Sequence, residues 1–211
     1  MNKYKYTGAV CLNCGAERLY NHRQYFNAKD DSSELSELLS GNFSFLKCPK
    51  CGVLMPIYDL IYEDPINKKT IFYNMPQKLE QVFKQRPFKT DEFYTATSFE
   101  DFYNCVFSIN HKLDWWVVKL FLCNSYLTFM ENCRGKGFKQ LEIERCVLFE
   151  KDNGIQLYIS LLHEDWANIY SLTDDFYKIL YEKYYKTIIK IVESNHYLSE
   201  EAAIKVLTKG E

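Results

Sequence analysis

Two short stretches decide how this chain is read: Cys11-Leu-Asn-Cys14-Gly15 and Cys48-Pro-Lys-Cys51-Gly52. In a CxxCG turn both sulfurs converge on one point while backbone N–H groups aim at them, and the glycine lets the chain leave the tight loop without steric penalty. Two such turns supply four thiolates. Zn2+ with four sulfurs at about 2.3 Å prefers a tetrahedron. The 33 residues between Cys14 and Cys48 leave enough chain for two strands and a helix to bring the turns together.

The same four sulfurs would suit iron, and a single CxxC would suit thiol–disulfide exchange. A redox CxxC acts alone beside a βαβ unit and needs no twin, and nothing in the sequence points to an electron partner for iron. One zinc ion is therefore expected, with iron the open alternative. Four cysteines close the coordination sphere and leave no position to polarise a substrate or activate water, so the expected zinc is structural. Cys11, Cys14, Cys48 and Cys51 are the expected ligands, and no catalytic residue is assigned. Arg18, Lys47 and Lys50 beside them would offset the formal charge of a four-thiolate zinc.

Outward from the knuckles, Lys3 to Thr7 alternates and Glu17 to Phe26 can run back extended, a strand on each side of the first turn. Asp31-Ser32-Ser33 offers an N-cap to a short helix with Leu35, Leu38 and Leu39 on one face, stopped at Gly41. Asn42 to Leu46 and Val53 to Tyr62 flank the second knuckle. Asp64-Pro65-Ile-Asn67 is a turn signal, so Lys69 to Asn74 is expected to pair back. The pattern breaks near Met75-Pro76, and residues 77–92, with Arg86-Pro87, read as a short helix and a connector.

Beyond it, Ser98-Phe99-Glu100-Asp101 opens a helix, and Leu113 to Glu131 reads as a longer one, apolar nearly all round. Leu141 to Leu148 and Gly154 to Leu162 alternate around Asp152-Asn153-Gly154, a hairpin signal, with a third strand over Trp166 to Leu172. Thr173-Asp174-Asp175 starts an amphipathic helix with Phe176, Ile179, Leu180, Tyr184, Ile188, Ile191 and Val192 on its stripe, and Ser199-Glu200-Glu201 starts a last short one. The expected fold class is α+β: an N-terminal zinc-ribbon-like antiparallel β module over residues 1–76, a connector over 77–97, and a helix-rich half with a small antiparallel sheet over 98–211.

Composition sets the limits of function. Hydrophobic residues make up 47% and aromatics 17% of the 211 residues, enough for a real core. The net charge is -2, but residues 1–90 carry 13 Lys/Arg against 9 Asp/Glu and the remainder 13 against 19, so the first part is +4 and the second -6. Neither a membrane span nor a hydrophobic signal core is legible, and eight cysteines without such a signal point to reduced thiols. The expected location is the cytoplasm.

The segment Leu38-Leu-Ser-Gly-Asn-Phe-Ser-Phe-Leu-Lys-Cys-Pro-Lys-Cys-Gly52, followed by Tyr58-Asp-Leu-Ile-Tyr-Glu-Asp64 and a hairpin ending in Met75-Pro76, resembles the central segment of the CpXC family, named for two C-P-x-C motifs. The specific likeness runs from about residue 7 to 76, and a looser one extends into the helix near 99–131. Leu12 stands where the family pattern has proline; proline shapes the turn without supplying a ligand, so metal binding is expected to survive. The resemblance implies a zinc-ribbon-like module. It implies no reaction, no catalytic residue and no partner.

Other candidates are weaker. His163-Glu164-Asp165 are adjacent on a turn and point in different directions, His22 reads as a surface residue, and His111 and His196 as helix-end residues. Arg134-Gly135-Lys136-Gly137 lacks P-loop spacing and reads as a loop. Trp115-Trp116 and Cys105, Cys123, Cys133 and Cys146, which have no paired spacing, read as core. The expected function is a zinc-stabilised interaction or scaffold protein with a protein partner. The alternative is a nucleic-acid binder that uses the interleaved bases and aromatics Tyr4, Tyr6, Arg18, Tyr20, His22, Arg23 and Tyr25.

Overall fold

The two CxxC turns each close an antiparallel hairpin. The first joins β1 (Tyr4–Val10) to β2 (Glu17–Arg23) in a register running from Tyr4 opposite Arg23 to Val10 opposite Glu17. The second joins β4 (Phe45–Lys47) to β5 (Leu54–Pro56), with Lys47 opposite Leu54. This architecture is drawn from a computed structural model that describes residues 4–11, 13–40, 45–56, 60–73, 92–96, 98–138, 142–152, 154–162, 164–195 and 198–209. The chain divides into two units, Met1–Val106 and Phe107–Glu211.

In the first unit the strand expected over Glu17 to Phe26 is two strands. The chain leaves the hairpin after Arg23, and β3 (Tyr25–Asn27) pairs in parallel with β6 (Leu60–Asp64). The switch is made at Gln24, whose carbonyl already accepts the N–H of Ile61 at 2.8 Å. β6 turns back into β7 (Lys69–Tyr73) as an antiparallel hairpin. Its turn is held by Asp64, whose carboxylate accepts the N–H groups of Ile66 and Asn67, both at 3.0 Å, and the Asn67 amide at 2.7 Å.

Most of the expected 77–97 connector lies outside the described residues. Its last part, β8 (Glu92–Ala96), runs parallel to β7 and completes a four-stranded sheet in the order β3-β6-β7-β8. The expected helix cap Gly41 and the strand start at residues 42–44 also lie outside. Helix α1 (Ser32–Leu39) buries Leu35 and Leu38, and α2 (Phe99–Asn110) buries Phe102 and Val106; the Tyr103 hydroxyl donates to the Leu39 carbonyl at 2.9 Å. Asp31 occupies the N-cap position of α1 but makes no capping hydrogen bond, because its carboxylate is used elsewhere.

The second unit is built on α3 (Trp115–Gly135). Twelve of its 21 residues are buried, as its all-round apolar sequence requires. Three antiparallel strands follow, β9 (Ile143–Lys151), β10 (Gly154–Leu161) and β11 (Ala167–Leu172), in the order β11-β10-β9. Asp152, with φ of 51°, takes the left-handed conformation this hairpin turn demands.

Helix α4 (Asp174–Asn195) buries Leu180, Tyr184 and Ile188, four residues apart. Ile179, expected on the same stripe, is 57% exposed: it lies one position from Leu180 and therefore about 100° round the helix. The last helix is α5 (Glu200–Lys209). Ser98, Thr173 and Ser199 each accept a backbone N–H three residues ahead, from Asp101, Phe176 and Ala202, which fixes where α2, α4 and α5 begin. Among the described residues no helix is long and apolar enough to cross a membrane.

Candidate metal centre

The two knuckles match bond for bond. Cys11 N–H donates to the Ala16 carbonyl at 3.0 Å and Cys48 N–H to the Val53 carbonyl at 2.8 Å; Gly15 donates to the Cys11 carbonyl and Gly52 to the Cys48 carbonyl, both at 2.8 Å. Each glycine sits at positive φ, 66° for Gly15 and 75° for Gly52, where a Cβ is strained. A Cβ on Gly52 would meet nothing closer than the Lys47 side chain at 3.9 Å, so only backbone strain opposes it. Gly52→Ala is expected to lower stability by about 1–2 kcal/mol. Gly135→Ala, at an open helical position, should be neutral or slightly stabilising. Denaturant titration compares them; equal midpoints for the two alanines would refute the strain.

The turns bring the four Sγ atoms of Cys11, Cys14, Cys48 and Cys51 within 4.8 Å of one another. Cys11 and Cys51 are 3.5 Å apart, and Cys14 and Cys48 are 3.8 Å apart. A tetrahedron with bonds of about 2.3 Å has edges of roughly 3.8 Å, whereas a disulfide needs about 2.05 Å. The spacing of the four sulfurs is therefore consistent with a metal site and not with a disulfide. Cys11 and Cys48 are buried, Cys14 is half-buried and Cys51 is exposed. Met55 is buried with the cluster, and Ala16, Tyr20 and Leu46 pack against it.

As acids the four differ. A hydrogen bond from the Asn13 side chain, then the N–H of Val53, hold Cys51 down to about 6. Cys48 is lowered, first by the N–H of Cys51. For Cys14 the N–H of Ala16 pulls down, but burial and the hydrogen bonds with Cys51, Cys11 and Cys48 together push it up to about 11. Four like charges this close repel, and a cation among them is what lets all four ionise, so metal binding would release protons. Tyr20 reports the same field: burial, then the charges of Cys48 and Cys11, raise it. Its hydroxyl is buried with no hydrogen-bond partner among the described residues.

The structure corrects one reading of the surrounding residues. His22, expected at the surface, is buried at the end of β2. The cause is position along the strand and not alternation: β2 is exposed or half-buried up to Asn21, and its last two residues are enclosed where the chain leaves the hairpin. Arg23 and Tyr25 are buried too. Arg18, Lys47 and Lys50 are exposed. Burial of an arginine has no signal in a sequence beyond a carboxylate within reach; Asp31, its partner, reads there as a helix cap.

The remaining candidates do not converge. His163 and His196 lie outside the described residues. His111 follows the end of α2 and stacks on Phe107 at 4.2 Å. Arg134 to Gly137 ends α3 in a turn, with the Lys136 ammonium 4.0 Å above the Trp166 ring. Trp115, Trp116, Cys105, Cys123 and Cys133 are core, and Cys146 is half-buried.

Antiparallel N-terminal strands that present four clustered cysteines, followed by helices and a small antiparallel sheet, define a zinc-ribbon-like α+β protein. The chain belongs to the CpXC protein family, which it matches over residues 9–131, more than half its length and including all four cysteines. No curated protein and no solved structure matches it.

Proposed function

We propose that Cys11, Cys14, Cys48 and Cys51 hold one structural zinc ion and that the ribbon it stabilises is an interaction surface for a protein partner in the cytoplasm. The observation that carries the first part is the closed set of four sulfurs at tetrahedral spacing, which leaves no open position for chemistry. The second part rests on what the first hairpin exposes. Tyr4, Val10 and Leu19 are 49%, 54% and 75% exposed, and a shallow groove of about 330 Å³ runs over Gly8–Val10 and Glu17–Leu19.

Charge favours protein over nucleic acid. With His22, Arg23 and Tyr25 buried, the exposed bases beside the cysteines among the described residues are Arg18, Lys47 and Lys50. A four-thiolate zinc carries a formal charge of -2 and Glu17 adds another, so these three cations are neutralised locally and little positive field remains for phosphates.

Purified protein should contain one zinc per chain by elemental analysis. A pull-down from native cells, with nucleic acid measured alongside, should recover protein that survives nuclease. Fluorescence anisotropy with a labelled single-stranded RNA or DNA tests the rival. Binding that weakens steeply between about 50 and 200 mM salt, and that Arg18→Glu abolishes, would overturn the protein reading.

A further inference from the structure

A second groove, of about 510 Å³, runs between α4 and α5. Its floor is apolar: Tyr184 and Val206 are buried, and Ile191 and Ala202 are half-buried. Its rim carries Lys183 from α4 and Lys205 and Lys209 from α5, all exposed, and no carboxylate is among its lining residues. Lys205 reaches Glu201 at 2.5 Å, a pair that is 62% and 78% exposed and therefore weak. Lys183 lies over the Tyr184 ring at 5.1 Å, which props its ammonium at the rim.

We propose that this groove docks an acidic amphipathic helix of a protein partner. Two features select a helix. Lys205 and Lys209 are four residues apart on α5, so their ammonium groups repeat at about one helical turn, the pitch at which glutamates at i and i+4 recur on a facing helix. The groove between the two helices is also open to solvent, so a small amphiphile would stay half in water, whereas a helix covers the floor with its apolar stripe and keeps its polar face solvated. Charge selects its sign: three ammonium groups around an apolar floor repel a basic helix and attract an acidic one. The proposal deepens the interaction reading above only in taking protein as the partner class. Zinc content and ribbon binding are measured separately, so either can fail alone.

The test uses the full chain and a fluorescein-labelled peptide of about 18 residues, with leucine on one helical face and glutamates at i, i+4 beside it. Anisotropy should show micromolar binding that weakens about tenfold between 50 and 300 mM salt. The double variant Lys183→Glu/Lys209→Glu, at exposed positions where folding is not at risk, should weaken it at least tenfold. The same variant should gain binding of the peptide with lysine in place of glutamate. Absence of binding, binding indifferent to the charge reversal, or binding of laurate but not of the peptide would overturn the proposal. So would self-association of the protein that the reversal abolishes, since a second copy would then fill the groove.

Discussion

If the four cysteines hold a structural zinc, Cys48→Ser is expected to strip it and to unfold both ribbon hairpins while the second unit stays folded. Among the described residues little else holds the ribbon together. Around the four sulfurs the described residues bury Met55 and half-bury Ala16, Tyr20 and Leu46, far too few apolar groups to offset the ordering of two hairpins. β4 and β5 have three residues each, below what an isolated hairpin sustains in water. A metal cross-link between Cys11/Cys14 and Cys48/Cys51 would substitute for a core.

Structural zinc contributes an apparent 10 to 16 kcal/mol in small zinc domains, about as much as the whole net stability of a typical protein, so losing it is not a perturbation but a loss of the fold. Elemental analysis should fall from one zinc per chain to below one tenth. Hydrogen exchange should show the amides of β1, β2, β4 and β5 unprotected, with α3 and β9–β11 unchanged. Cys146→Ser, half-buried in β9 and outside the cluster, is the control and should keep both metal and protection. A folded, metal-free Cys48→Ser with the melting temperature of the parent would remove the structural role.

The cysteine cluster is the part of this protein that sequence expresses most openly, because a CxxCG turn encodes its own geometry: the paired sulfurs are local and the glycine marks the exit. The same holds for the Asp152 hairpin and for the caps at Ser98, Thr173 and Ser199, each a short-range hydrogen bond that its own residues dictate. What stays hidden is non-local. The parallel pairings of β3 with β6 and of β7 with β8 join strands through long connections, and an alternating pattern says which face of a strand is buried but not which strand lies beside it. The break at Gln24 is of this kind. So is the burial of His22, Arg23 and Tyr25, which turns an apparent basic, aromatic surface into the interior end of a strand.

That interior end carries the second large effect, at the pair Arg23 and Asp31. Their side chains are 3% and 2% exposed and meet at 2.6 Å. Arg23 Nε donates to the Tyr25 carbonyl at 3.0 Å, its guanidinium lies 5.3 Å from the Phe26 ring centre, and the Asp31 carboxylate accepts the Asn27 N–H at 2.8 Å. One ion pair thus joins the end of the ribbon hairpin, the first strand of the mixed sheet and the start of α1.

Two buried charges are expensive to desolvate, so the pair is worth little against apolar residues of the same shape, yet either charge alone is a severe fault. Arg23→Met and Asp31→Leu should each lower stability by about 3–5 kcal/mol, and the double variant Arg23→Met/Asp31→Leu should recover most of that. Denaturant titration of the three variants forms the cycle. Single losses under about 1 kcal/mol would mean that the carboxylate is hydrated and the pair marginal. Because Arg23 pairs with Tyr4 at the end of the hairpin opposite the knuckle, all three variants should still carry one zinc per chain. A variant that loses stability but keeps its metal would show that this pair, not the ion, fastens the ribbon hairpin to the sheet that follows it.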